Sequence, residues 1–306
     1  QRKVEMDQLL LFLNPRLKIN KLESNGQNLP FHRDHQVIVI KRPVAPGENI
    51  ELEIEYEGYI DEDIYQVNIP DDDFFAPVIY TSYHENYGKR SAFVSDEFTL
   101  LVPEVIWYPT AVFPVELQAS KEINFTDYTL HVKQTDKMTV LSQGEPMPKG
   151  DHITFNNVQN LTGLTLCIGK YEKRSITVDS TTVEFYTYPG NDFYMKPLDT
   201  WEGMKAGSPG REKKLAKIAN RCKDIIEEGQ STPYPFKYFK LIETPSSFLR
   251  GSRFSNNIQP EIAFFEERFS TTDHYKPGAP PRGLSDDINL QEYILYQSMP
   301  SYLNLI

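Results

Sequence analysis

The sequence predicts a mainly β protein: an antiparallel N-terminal domain, saddle- or sandwich-like, followed by a smaller α+β segment. Three observations carry this. Residues 51–57 alternate strictly, with Glu51, Glu53, Glu55 and Glu57 separated by Leu52, Ile54 and Tyr56, a period of two that gives a strand one buried and one wet face. Short alternating segments with turn signals between them recur as far as residue 187, the pattern of a two-layer β domain. Helical spacing of apolar residues enters only after residue 208. The expected domains are therefore 1–195 and 196–306.

In chain order, residues 9–13, 17–19, 36–41 and 50–57 read as strands of one antiparallel sheet. Asn25-Gly26 and Pro46-Gly47 mark tight connections. Residues 61–63 (Asp-Glu-Asp) and 71–73 (Asp-Asp-Asp) lack the ladder of a calcium loop and read as solvated acidic loops. From Phe74 to Glu116 the chain is rich in aromatics and proline, including Trp107, Tyr108, Pro103 and Pro109. Such a stretch either lines an interdomain cleft or packs under a long loop. Strands return at 128–133, 164–168 and 182–187. A linker follows over 191–208.

Ser208-Pro209 then caps a predicted helix that runs to Glu228 and is stopped by Gly229. Leu215, Ile218, Cys222, Ile225 and Ile226 give it one apolar face, while its charges oppose the helix dipole, so packing must hold it. Residues 236–242 and 260–265 are two apolar strands separated by the polar loop SSFLRGSRFSNN. A last short helix is expected over 288–297.

A chain of 306 residues can bury a sizeable core without disulfides or metal. The net charge of −11, from 43 acidic and 32 basic residues, opposes binding to nucleic acid or anionic lipid. No apolar run approaches the roughly 18–20 residues of a membrane span. Cys167 and Cys222 lack metal-like spacing and read as buried free thiols. Asn124 and Asn160 begin short glycosylation sequons that matter only in a secretory setting. The chain begins close to a strand and ends in mid-pattern at SYLNLI, which reads as a piece of a longer protein.

Catalytic motifs are sparse. A zinc peptidase needs His-Glu-x-x-His, two histidine ligands on one helical face with a glutamate as general base. The one His-Glu pair, His84-Glu85, is followed by Asn86, Tyr87 and Gly88. His32 and His35 are three apart without a third ligand, and His274 stands alone. No nucleophile elbow and no Gly-rich phosphate loop is present. Glu261, Glu266 and Glu267 read either as an amine-binding cluster or as exposed strand-end carboxylates. Arg250 and Arg253 flank Gly251 and could hold a peptide carboxylate, or belong to a solvated loop.

YPFKYFKLIETP (234–245) and NNIQPEIAFFEE (256–267), in order after a predicted helix, resemble the opening of the catalytic domain in M1 family zinc aminopeptidases. Val105-Ile-Trp-Tyr-Pro is similar to a further motif of that family, with Thr110-Ala111-Val112 where its acidic pair stands. Residues 125–145 and 164–190 resemble the second half of the family's N-terminal β-saddle. The family's Gly-x-Met-Glu-Asn motif, which holds the substrate amine, is replaced by Asn257-Ile258-Gln259-Pro260-Glu261.

The resemblance implies a β-saddle domain plus the start of a thermolysin-like domain, inactive as it stands, with zinc supplied only in a full-length parent. It implies a groove for extended peptide beside Gln259 and Glu261, with Arg250, Arg253 and Glu267 as further peptide-binding residues. It extends to bacterial proteins in which an M1-like region is fused to ABC transporter permease segments. That places the chain on the extracytoplasmic side of a bacterial membrane, with a cytoplasmic setting as the other option. The competing reading is a peptide- or partner-binding assembly domain of a transporter that has lost peptidase activity.

Overall fold

The structure, a computed structural model, describes residues 6–62, 64, 94–111, 125–134, 138–156, 160–161, 163–178, 181–190, 236–244, 258–259 and 261–266. The protein is mainly β. Among the described residues the one helical element is a 3-10 turn, Pro103–Val105. The predicted helices at 209–228 and 288–297 lie outside the described residues.

The first six strands are β1 Leu9–Phe12, β2 Leu17–Ser24, β3 Gln27–Asn28, β4 Phe31–Asp34, β5 Val37–Ile40 and β6 Glu53–Gly58. They form two three-stranded sheets, β1-β5-β4 and β3-β2-β6. Asn25 and Gly26 both take positive φ, the geometry of a two-residue hairpin, and Ser24 pairs with Gln27 across them. The Pro46-Gly47 signal makes a turn closed by Glu48 N–H donating to Ala45 O, but it joins two sheets and not two paired strands. In β6 the glutamates face water while Ile54 and Tyr56 turn inward. Leu52, Ile54 and Tyr56 pack on Leu13, Leu17, Leu22, Ile38 and Ile40. Fully burying such a side chain is worth about 1.5–3 kcal/mol, so this patterned interior closes the first sandwich.

His32 is an exposed residue of β4, and His35 sits at φ 48° in the two-residue turn that lets Asp34 pair with Val37.

The next strands are β7 Phe98–Leu101, β8 Thr129–Lys133, β9 Thr139–Leu141, β10 Glu145–Lys149, β11 His152–Asn156 and β12 Leu166–Gly169. Sheet β7-β12-β9 is a middle layer. Leu101, Val140, Leu166 and Ile168 meet Leu130, Val132, Ile153 and Phe155 of sheet β10-β11-β8. The prolines of β10 are tolerated because this strand is at an edge, where a lost N–H costs no ladder bond. On the other face of the middle layer, Leu100, Leu141 and Cys167 meet Tyr186, Ile242, Ile262 and Phe264. Cys167 is a buried free thiol; Cys222 lies outside the described residues.

That opposing layer is a five-stranded mixed sheet built from β13 Glu172–Val178, β14 Thr181–Thr187, β15 Tyr238–Thr244, β16 Ile258–Gln259 and β17 Ile262–Glu266. Its order is β13-β14-β15-β17-β16. β14, β15 and β17 run parallel, with antiparallel partners at both ends. Strands from either side of residue 195 thus share one sheet. Val183, Phe185, Phe239, Leu241 and Ala263 on its second face are buried as well, as parallel strands require.

Candidate functional site

The chemistry-bearing side chains converge where this five-stranded sheet meets the loop between β9 and β10. β15 alternates, so Lys240 shares a face with Ile242, and its strand neighbours in register are Glu184 on β14 and Ile262 on β17. A charged row is therefore set into an apolar face. Lys240 is 1% exposed, Glu184 4% and Glu261, just before β17, 6%.

Each member has partners. Lys240 Nζ donates to Ser142 O and Gly144 O, both at 2.6 Å. It lies 3.7 Å from the Glu261 carboxylate. Glu261 Oε2 accepts the Gly144 N–H. Glu184 accepts from Tyr186 Oη at 2.8 Å and pairs with Lys173. Lys173 is half exposed and stands over the Tyr186 ring, so the row runs from the surface inward. The loop is itself pinned: Ser142 Oγ donates to Thr165 O at 2.7 Å, and Thr165 N–H to Gln143 Oε1 at 2.9 Å. Burial pushes the Glu261 carboxyl above its ordinary value and the Lys240 ammonium below its own.

On the opposite face of β15, Glu243 is fully buried and accepts the Tyr188 N–H. Tyr188 stacks on Tyr171, whose Oη donates to Glu243 O at 3.3 Å. At the surface, Lys237 and Glu145 pair at 2.9 Å and tie the start of β10 to the approach to β15.

Among the residues expected to bind peptide, Gln259 lies in β16 and pairs with Ile262. β16 ends the sheet, and among the described residues no strand lies beyond it. Glu261 differs from the exposed carboxylate expected at a strand end. It is buried and turned into the protein, where its carboxylate accepts the Gly144 N–H and lies beside Lys240 Nζ. Arg250, Arg253, Pro260 and Glu267 lie outside the described residues.

Sequence reasoning passed over Lys240, Glu184 and Gly144. The available signal was a charge inside a near-continuous apolar run, Lys240 in FKLI and Glu184 in VEFY, because a buried strand keeps a charge only when it is paired.

The aromatic stretch proves structural where it is described. Trp107 packs against both cores and donates Nε1–H to Leu164 O at 3.1 Å, while Tyr108 Oη accepts the Leu164 N–H at 3.0 Å.

Among the described residues no three His, Cys, Asp or Glu side chains are grouped to hold a metal ion. The sequence also lacks His-Glu-x-x-His, so among the described residues nothing fits the zinc site of such a peptidase. Among the described residues no helix is long and apolar enough to cross a membrane.

A mainly β protein with a mixed sheet whose parallel strands carry a buried charge row is the class that this architecture defines. The fold is similar to part of the fold of M1 zinc metallopeptidases. An M1 zinc metallopeptidase from Deinococcus radiodurans matches at a TM-score of 0.51 and 14% identity, over 79% of this chain and 49% of that one. A mutant M1 zinc metallopeptidase from the same organism matches at a TM-score of 0.49 and 14% identity, with the same coverage. This chain thus spans about half the length of the solved structures it resembles. No family profile matches the chain. No curated protein matches it.

Proposed function

We propose that this chain is a non-catalytic portion of an M1-like metallopeptidase, contributing scaffold and part of a groove for extended peptide. The observation that carries the reading is the position of β16, an edge strand in a sheet of this fold with no strand beyond it among the described residues. An edge offers unpaired backbone groups to an extended chain, and affinity then comes from main-chain hydrogen bonds. Gln259 belongs to that edge, and Arg250, Arg253 and Glu267 are the candidates for contacts along the peptide. Zinc belongs to the parent protein and no step in this chain depends on it. The parent is membrane-associated and bacterial, an ABC transporter permease fusion, with this region on the extracytoplasmic side.

The test is amide exchange of the chain with and without a set of six-residue extended peptides. Added protection confined to the amides of residues 257–259 supports the reading. Peptide binding that leaves this edge unprotected, or no binding at millimolar concentration, overturns it.

One observation favours the second reading, an assembly domain of a transporter that has lost peptidase activity. The Glu261 carboxylate is already engaged by Gly144 and Lys240 and is not free for a substrate amine. On this reading the edge pairs with another part of the parent, and the full-length protein keeps the amides of residues 257–259 protected without peptide.

A further inference from the structure

We propose that Glu261 is a clasp between layers: its carboxylate, bonded to the Gly144 amide beside Lys240 Nζ, holds its own backbone in the left-handed region and so keeps β16 folded onto β17. Glu261 has φ 65°, a conformation that costs a residue with a Cβ about 1–2 kcal/mol and that glycine adopts freely. A strained residue persists only where its surroundings over-determine it, and here they do.

Three attachments meet at this residue. The carboxylate accepts from Gly144, it faces Lys240 Nζ at 3.7 Å, and its backbone carbonyl accepts the Lys240 N–H at 2.7 Å. Gly144 belongs to a loop whose other residues are fixed to Thr165, so the clasp is anchored in the middle layer and not in its own sheet.

What the clasp holds cannot hold itself. Among the described residues β16 spans two positions and pairs through Ile258↔Ala263 and Gln259↔Ile262. So short an addition at an edge has little stability of its own. The edge is therefore conditional: it is present while the Glu261 side chain is seated and released when it leaves. This holds whether or not the edge takes a peptide.

Glu261→Gly removes the carboxylate and relieves the backbone strain in one step, so any loosening it causes comes from the missing carboxylate and not from the left-handed φ. Hydrogen exchange on the intact chain is expected to quicken at least tenfold at the Lys240 amide and at the amides of residues 258, 259 and 261–263, with amides of β14 unchanged. Exchange as slow as in the native chain, or slower, overturns the clasp, since glycine would then simply suit the turn. A uniform acceleration over the whole sheet also overturns it, as a loss of global stability. Should that variant fail to fold, Glu261→Gln keeps an acceptor for Gly144 and loses the charge. It is expected to quicken Lys240 exchange at least threefold with β14 unchanged, and no change there overturns the proposal.

Discussion

Lys240 and Glu261 form the most buried ion pair among the described residues, with side chains 2% and 7% exposed and 3.7 Å between Nζ and Oε2. Their surroundings decide what the pair is worth. Desolvating two charges costs several kcal/mol per ion, and the pair recovers that only through the extra bonds to Ser142 O, Gly144 O and Gly144 N–H. Lys240→Met removes the counter-charge and leaves the carboxylate buried, and is expected to destabilise the chain by about 3–5 kcal/mol. The double replacement Lys240→Met with Glu261→Gln should recover most of that loss. Urea unfolding of the two single variants, the double variant and the native chain gives the coupling directly, and additive single effects would show that the two residues act independently.

The same pair sets a pH dependence whose sign follows from the two shifts. Glu261 titrates above its ordinary 4.5 when folded, so in that window the folded state holds more protons and stability falls as pH rises. Lys240 titrates below its ordinary 10.5, so in its window the folded state holds fewer protons and stability rises with pH. Compared with the double variant, the native chain should therefore lose stability as pH rises from 4.5 through the folded Glu261 value, and regain it as pH approaches 10.5. Urea midpoints for both proteins across that range check it. A constant difference between them would rule out the pair as the source.

Asn14 is the joint between the first sandwich and the middle layers. It is fully buried; Nδ2 donates to Val105 O at 2.9 Å and Asp61 O at 3.1 Å, and Oδ1 accepts Asp61 N–H at 2.7 Å. Its N–H donates to Ile106 O, and Ile106 is a buried β-branched residue at φ 51°. Arg33 closes the other side by donating to Leu13 O and Leu17 O. Asn14→Ala removes the side-chain partner of two amides, those of Asp61 and Arg16, and of two carbonyls, those of Val105 and Asp61, so a loss on the order of 3 kcal/mol is expected. A thermal midpoint within a degree of the native chain would contradict this.

What was legible in the sequence divides by the range of the interactions that produce it. The β6 alternation, the Asn25-Gly26 hairpin and the inward Leu130 and Val132 of β8 follow from period and turn chemistry, which neighbours along the chain specify. β13 and the β10–β11 hairpin were not read as strands. Glu172, Lys173 and Arg174 open the first, and Pro146 and Pro148 interrupt the second, so both look like loops until their partner strands are known. The charge row was hidden for a related reason. Glu184, Lys240 and Glu261 are far apart in sequence and meet only through parallel pairing across long connections. The nearby Glu261 was visible as a candidate, but the Gly144 amide that buries its carboxylate lies 117 residues away.

Gly163 carries the last prediction, because it underlies the segment that pins the clasp loop. A Cβ there would overlap the Pro103 ring, lying 2.9 Å from its Cβ and closer still to its Cγ. A proline ring has no rotamer by which to withdraw, so the chain at 163–165 must shift. That segment is held by Trp107 Nε1–H on Leu164 O and by Leu164 N–H on Tyr108 Oη. Its next residue, Thr165, fixes Ser142 and Gln143. Gly163→Ala is therefore expected to cost about 1–3 kcal/mol through overpacking. It should also disturb the Trp107 environment and speed exchange at the Gly144 amide. Near-ultraviolet circular dichroism in a Trp201→Phe background isolates Trp107, and hydrogen exchange reads Gly144. Lost stability with both signals unchanged would mean that the strain is absorbed at Pro103 and never reaches the loop.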